Sequence, residues 1–240
     1  MSKTRLLVMS RGFHCERVFG DMFDSVFQHG TGRNIFQLNF SPDDTFLFEG
    51  GTDIRPSFYD QRPASRTQNS DIRRDGEEEA VFNRAKKVGA SFIGICRGAQ
   101  LLTALAGGEL IQDVSGHAGH DHHITVRQLA GAPADNKGRL VTNSLHHQMM
   151  FPFGLPKDDY VLEAWCEKPL SRHYTIEDDV DVKAQLPTDF VEPEIVWYKN
   201  LKALAIQGHP EFVGRQSQLQ PFVEHCRYLT KERILNDIPA

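Results

Sequence analysis

Apolar and polar positions along the 240-residue chain fall into two kinds of pattern. Short continuous apolar runs within Arg5–Ser10, Thr45–Phe48 and Ala90–Ile95 predict buried strands of a parallel sheet, and Asn34–Phe40 reads as a further strand. Helical spacing appears between Cys15 and Gln28, where Phe19, Phe23 and Phe27 recur every four residues and Val18, Met22 and Val26 flank them, giving a wide stripe suited to core packing. Asp75–Val88 has an acidic first turn that suits the helix dipole, and Gly89 closes it; Gly98–Ala106 carries Leu101, Leu102 and Leu105 on one face. Beyond Glu109 the pattern becomes strand-rich, through Glu109–Val126, Arg139–Asn143, Tyr160–Trp165, Glu194–Tyr198 and Ala203–Gln207, with a hairpin-like break at Ala130-Gly131-Ala132-Pro133. Gln216–Leu235 reads as a closing helix. Alternating strands and helices followed by a strand-rich half predict one α/β domain over residues 1–240, with a central, mostly parallel sheet.

Composition narrows the classes. Hydrophobic residues at 40% and charged residues at 25% exclude a disordered or fibrous chain. No run approaches the roughly 18 apolar residues of a membrane helix. Leu6-Leu7-Val8-Met9 is too short for a signal-peptide core, so a cytoplasmic location is expected and a membrane partner is not. A net charge of -5 and scattered basic residues give no footprint for nucleic acid. Cys15, Cys96, Cys166 and Cys226 lie far apart, which suggests neither a disulfide framework nor a zinc knuckle.

Chemistry concentrates in two places. Gly94-Ile95-Cys96-Arg97-Gly98 follows an apolar strand and opens a helix, the layout in which small flanking residues let a strained turn lift a nucleophile above the sheet. A thiol there faces a helix N-terminus, which favours the thiolate. The same five residues also suit an inert cysteine in a tightly packed turn. Gln207-Gly208-His209-Pro210-Glu211 ends another apolar strand, where side chains reach the crevice beyond a parallel sheet. His209 can take and return a proton, and Glu211 can hold the imidazole in its working tautomer; alone, His209 equally fits a surface turn.

Taken together in chain order, Phe48-Glu49-Gly50-Gly51-Thr52-Asp53-Ile54-Arg55-Pro56, Arg74-Asp75 with Glu78, Gly94 to Gln100, Gly107 to Asp113, Asn143-Ser144-Leu145-His146-His147-Gln148 and Gln207 to Glu211 resemble the class I glutamine amidotransferase-like enzymes, and most of all their γ-glutamyl-γ-aminobutyrate hydrolase and folate γ-glutamyl hydrolase branch. The resemblance implies a flavodoxin-like three-layer sandwich with a nucleophile elbow and a Cys96–His209–Glu211 triad. It implies an oxyanion hole from Arg97 N–H and the Gly50-Gly51 turn, and substrate contacts from Gln100, His123, Ser144, His147 and Gln148. Asn143 or Ser144 also reads as the cap of a helix start. The implied substrate is a small γ-glutamyl amide or glutamine, hydrolysed without a cofactor. A glutaminase subunit feeding ammonia to a synthase partner, and a silent binding module of the same fold, are the alternatives.

The run Gly116-His117-Ala118-Gly119-His120-Asp121-His122-His123 invites a metal, but strand alternation separates His122 from His123, and no metal is expected. Two features depart from the family pattern. Gly208 stands where many relatives carry an aromatic residue, which predicts a larger or looser pocket beside His209. Arg172–Pro193 is a long acidic insertion, expected to be a solvated surface excursion.

Overall fold

The computed structural model describes residues 3–9, 11–29, 34–67, 70–128, 139–212 and 217–236. Among them run thirteen strands: β1 Arg5–Met9, β2 Ser25–Gln28, β3 Asp44–Phe48, β4 Ser91–Ile95, β5 Glu109–Ile111, β6 Asp113–Val114, β7 His122–Val126, β8 Arg139–Thr142, β9 Met149–Phe151, β10 Tyr160–Cys166, β11 Tyr174–Thr175, β12 Pro193–Tyr198 and β13 Ala203–Ile206. The α-helices are α1 Glu16–Phe19, α2 Ile72–Lys87, α3 Arg97–Leu105 and α4 Gln220–Thr230. None of the described helices is long and apolar enough to cross a membrane.

Nine strands form one mixed sheet in the order β2-β1-β3-β4-β13-β12-β10-β7-β8. The first five are mutually parallel, and from β12 onward each pairing is antiparallel. Strand alternation sorts the apolar side chains onto two faces. Leu7, Phe46, Phe48, Phe92 and Ala205 face one layer with Val81, Phe82 and Ala85 of α2 and Leu101 and Leu102 of α3. Leu6, Val8, Leu47, Ile93, Ile95 and Ile206 face the other, with Phe19 of α1 and Phe222, Cys226 and Leu229 of α4. The result is the three-layer, flavodoxin-like arrangement, with the C-terminal ends of β3, β4 and β13 opening onto a common edge.

The structure corrects several local expectations. Cys15–Gln28 is not one helix: α1 gives way to a 3₁₀ turn at Gly20–Met22 and then to β2, paired in parallel with β1. The phenylalanine repeat divides accordingly, with Phe19 and Phe23 in one core layer and Phe27 against the other. Asn34–Phe40 contains a 3₁₀ turn at Ile35–Gln37 in place of a strand, because the Asn34 side chain accepts a hydrogen bond from Phe36 N–H at 2.9 Å and diverts the backbone from sheet pairing. Residues 143–146 are irregular and start no helix. The Ala130-Gly131-Ala132-Pro133 break lies outside the described residues.

Arg172–Pro193 is more than a solvated excursion. Its β11 pairs with β6, and Tyr174 and Val182 join Ile111, Val114 and Met149 in a small third core. Its acidic tip grips the stretch that carries Arg62 and Ser65: Glu177 accepts from Arg62 N–H at 2.9 Å, Asp179 from Ser65 N–H at 2.8 Å, and Asp178 pairs with the Arg62 guanidinium. Acidic residues that read as solvation therefore fasten backbone.

Candidate active site

The parallel strand β4 delivers Cys96 to the sheet edge, where the residue takes φ 51° and ψ -106° before α3 begins at Arg97. That backbone is unfavourable for a residue with a Cβ and persists only where the surroundings enforce it. They do: Cys96 N–H donates to Ile206 O at 2.8 Å, and a Cβ on Gly94 would strike the Gly98 carbonyl, while one on Gly98 would strike the Phe48 carbonyl. The Gly-x-Cys-x-Gly spacing is thus a packing requirement of the turn. Arg97 N–H precedes the first α3 bond, from Gln100 N–H to Cys96 O at 3.1 Å, and remains free of the helix ladder.

A buried ionic network holds this turn from behind. The Arg97 side chain, 1% exposed, pairs with Asp75 at 2.5 Å and with Glu78; Arg74 donates to Glu78 at 2.8 Å, to Gly50 O at 2.8 Å and to Glu49 O at 2.7 Å. Two carboxylates of α2 therefore fix both the elbow and the Gly50-Gly51 turn. Gly51 has φ +146° and abuts the Arg74 guanidinium, so a side chain there is excluded. The Glu49 carboxylate, fully buried, accepts from the N–H groups of Arg11 at 2.5 Å and Cys15 at 3.2 Å and anchors the loop after β1.

His209 arrives from the end of β13. Its Nδ1 lies 2.7 Å from Glu211 Oε1, and its ring stacks on Phe212 at 4.8 Å. A Cβ built on Gly50 would lie 3.0 Å from His209 Cε1 and 3.7 Å from Cys96 Cβ, so glycine turn, thiol and imidazole meet in one place. Burial by itself depresses the His209 pKa; hydrogen bonds and charge from Cys96 and Glu211 outweigh it and raise it to about 10. Cys15 and Cys226 are different: burial, with Glu211 and for Cys15 also Glu49, drives their thiol pKa values up and keeps them protonated.

The other residues singled out in the sequence fall into two groups. Gln100, 3% exposed, donates to Gln148 O at 3.1 Å, and the Gln148 and Ser144 side chains are buried with unpaired polar atoms. His147 Nε2 lies 3.2 Å from Asp53 Oδ2 and its Nδ1 3.5 Å from Asp113 Oδ1. Asp53 chiefly raises the His147 pKa, against partial burial. His123, by contrast, is exposed on β7, and alternation turns His122 inward. Asn143 does not cap a helix; its carboxamide accepts from His209 N–H and donates to His209 O, each at 2.8 Å. Gly208 leaves no hole: a Cβ there would collide with Thr142 Oγ1 and lie 3.0 Å from both Asn143 O and the Phe222 ring, so those neighbours already fill the space expected to be loose. Phe212 and Glu49 were not anticipated as site residues, although Glu49 sits inside the Phe48-Glu49-Gly50-Gly51 run.

The Peptidase C26 model matches residues 36–211, from the approach to β3 through Glu211. The chain belongs to the Peptidase C26 family. Within the wider class I glutamine amidotransferase-like group, this C26 chain is 40% identical over 195 residues to Rv2859c of Mycobacterium tuberculosis, whose name marks it as a candidate glutamine amidotransferase; the match covers 73% of this chain and 58% of that protein. It is 26% identical over 172 residues to protein NtpR of Enterococcus hirae, covering 70% and 66%. The matched part thus spans less than two thirds of these relatives' own length. Among solved structures, a glutamine amidotransferase of Thermotoga maritima superposes with a TM-score of 0.55 at 14% identity, covering 98% of this chain and 87% of that one. A candidate GMP synthase component of Thermoplasma acidophilum gives 0.53 at 15% identity, covering 97% and 98%. At these identities the likeness shows a shared fold.

Proposed function

We propose that this C26 chain is a cysteine-dependent amidohydrolase that cleaves γ-glutamyl amide bonds through a γ-glutamyl thioester. The observation that carries the reading is the convergence of Gly50, Cys96 and the His209–Glu211 pair at the C-terminal edge of the parallel strands. In the proposed reaction the Cys96 thiolate attacks the γ-carbonyl carbon. Arg97 N–H and the Gly50-Gly51 turn receive the oxyanion; each such donor contributes about 3–4 kcal/mol in enzymes of this kind. The imidazolium of His209 then gives its Nε2 proton to the departing amine as the C–N bond breaks, and the thioester remains. Water next gives a proton to the same nitrogen and adds to the thioester, releasing glutamate and restoring the thiolate–imidazolium pair. Glu211 keeps the Nδ1 proton in place throughout.

Gln100, Ser144, His147 and Gln148 are assigned to the glutamyl head group, because their unpaired or exchangeable polar atoms lie on α3 and on the segment between β8 and β9 that meets it. Exposed His123 is left for the rim of the cleft. A glutaminase that hands ammonia to a synthase is the second reading, favoured by the names of the relatives, and it uses the same residues. Incubating the protein with a γ-glutamyl electrophile, followed by peptide mass spectrometry, tests the nucleophile: an adduct on Cys96 that is absent in Cys96→Ala is expected, and an adduct elsewhere would overturn the assignment. A screen of γ-glutamyl conjugates that includes glutamine separates the two readings, since turnover of glutamine alone, rising with a partner protein, supports ammonia transfer.

A further inference from the structure

Strands β7, β10 and β12 contribute to the antiparallel half of the sheet, and each turns one metal-binding side chain toward the same interior point. His122 Nε2 lies 3.0 Å from Glu194 Oε1 and 3.3 Å from Cys166 Sγ, and Cys166 Sγ lies 3.4 Å from that same oxygen. His117, on the turn after β6, brings its Nδ1 to 3.7 Å from Glu194 Oε1. The four donor atoms lie within 4.8 Å of one another, and all four residues are buried. A tetrahedral ion bound at about 2.0–2.3 Å to nitrogen, oxygen and sulfur holds its donors roughly 3.3–3.7 Å apart. The observed separations already approach that geometry.

The hydrogen-bond pattern around His117 fixes which ring nitrogen faces the cluster. Its Nε2 is 3.2 Å from Glu192 Oε2. Glu192 also accepts from Leu170 N–H, Ser171 N–H and the Tyr174 hydroxyl, each at 2.8 Å, so it is held as an acceptor and His117 Nε2 must carry the proton. The other ring nitrogen, Nδ1, faces the Glu194 carboxylate. No described residue donates to His117 Nδ1, and Glu194 Oε2 is likewise buried without a partner. At 3.7 Å the contact is too long for a hydrogen bond, so two polar atoms stay unsatisfied in a buried place. A cation at the centre satisfies both, while Glu192 takes the outer role of the carboxylate that orients a ligating histidine.

We propose that His117, His122, Cys166 and Glu194 bind a zinc ion as a closed structural site, independent of the reaction proposed above. Two imidazoles, one thiolate and one carboxylate balance the charge of a divalent cation, and the sulfur selects zinc over magnesium or calcium. On binding, Cys166 releases its proton to solvent as the zinc–sulfur bond forms. The ion ties β7, β10, β12 and the turn after β6 together, and it does so beside the catalytic edge: Gln207 N–H donates to Glu194 O at 2.8 Å, two residues before His209. The sequence argument against a metal relied on the separation of His122 from His123, which is real; the partners of His122 come instead from distant strands.

Metal content by inductively coupled plasma mass spectrometry tests the site. The wild-type chain is expected to carry about one zinc per chain, and Cys166→Ser and His117→Gln at least about tenfold less, as loss of one of four ligands implies. Cobalt(II) added to metal-stripped wild type should give a thiolate-to-cobalt charge-transfer band that Cys166→Ser lacks. Should either variant fail to fold, stripped wild type provides the readout, since its melting temperature should rise with zinc and not with magnesium. Zinc retained equally in both variants, or a stripped wild type that neither binds cobalt through sulfur nor responds to zinc, would overturn the proposal.

Discussion

Asn143 holds the His209 peptide from both sides, accepting from its N–H and donating to its carbonyl at 2.8 Å each. The imidazole is therefore positioned through its own backbone by a residue on the segment after β8, as well as through Glu211 and the stacked Phe212 ring. Replacing Asn143 with Ala removes two buried hydrogen bonds and leaves His209 N–H without a partner, while His209 O keeps the bond from Phe212 N–H at 3.2 Å, a cost of about 1–3 kcal/mol. The expected outcome is a kcat lowered by roughly ten- to a hundredfold with little change in KM, because geometry of the base changes more than substrate contacts. Steady-state kinetics with whichever γ-glutamyl substrate the screen yields checks this; an unchanged kcat would remove Asn143 from the positioning role.

The charge state of His209 gives a second test. Burial lowers its pKa, and Cys96 and Glu211 together raise it to about 10. In Cys96→Ala the sulfur contribution is gone while burial remains, so the His209 pKa must fall. Nuclear magnetic resonance titration of the histidine ring protons in wild type and Cys96→Ala measures the difference directly. Equal values in the two proteins would mean that thiol and imidazole are not coupled.

How far the site could be read in the sequence depended on how local each signal was. The strand, elbow and helix around Cys96 are contiguous, so an apolar run, two glycines and a leucine stripe were enough to place them. His209 and Glu211 were legible because they share five residues at a strand end. Asn143 was not: its partner is 66 positions away, and its capping chemistry suited a helix start that the fold does not use. The α1–β2 segment misled for a different reason, since aromatic spacing compatible with a helix also serves a short helix and a strand that feed opposite core layers. His122, Cys166 and Glu194 meet only through antiparallel pairing of three strands, which no spacing rule in a single sequence records.

The buried network behind the elbow predicts a stability cost. Glu78 pairs with both Arg74 and Arg97 in a region closed to water. Glu78→Gln removes the negative charge and leaves two guanidinium groups facing each other with only Asp75 for compensation. Breaking a buried pair in this way costs about 3–5 kcal/mol. Urea unfolding followed by circular dichroism should show a lower midpoint with an unchanged slope; a midpoint equal to wild type would mean that solvent reaches the network.

Gly208 predicts intolerance to even the smallest side chain. A methyl group there would collide with Thr142 Oγ1 and press on Asn143 O and the Phe222 ring. Gly208→Ala should therefore destabilise by about 1–3 kcal/mol, the usual range for overpacking, and should disturb the Asn143–His209 clamp. The companion change Thr142→Ala removes the colliding oxygen, so the double variant should regain part of the loss. Thermal unfolding of the single and double variants decides the point, and simple additivity would show that Thr142 is not the obstacle.

His225 sets an acid limb to stability. It lies on α4, 1% exposed, and neither ring nitrogen has a hydrogen-bond partner among the described residues. Burial alone lowers its pKa from 6.5 to about 4. Because the unfolded chain then takes up this proton more readily than the folded one, the contribution to stability is complete above pH 6.5 and is lost as pH falls through 4. The shift corresponds to about 3 kcal/mol at full protonation. His225→Phe removes the titrating group while keeping a ring that can stack near Tyr228, whose ring centroid lies 6.2 Å away. Denaturation midpoints measured from neutral pH down to 4 should fall less steeply for the variant than for wild type. Parallel curves would show that the His225 imidazole reaches water and is not held neutral by the core.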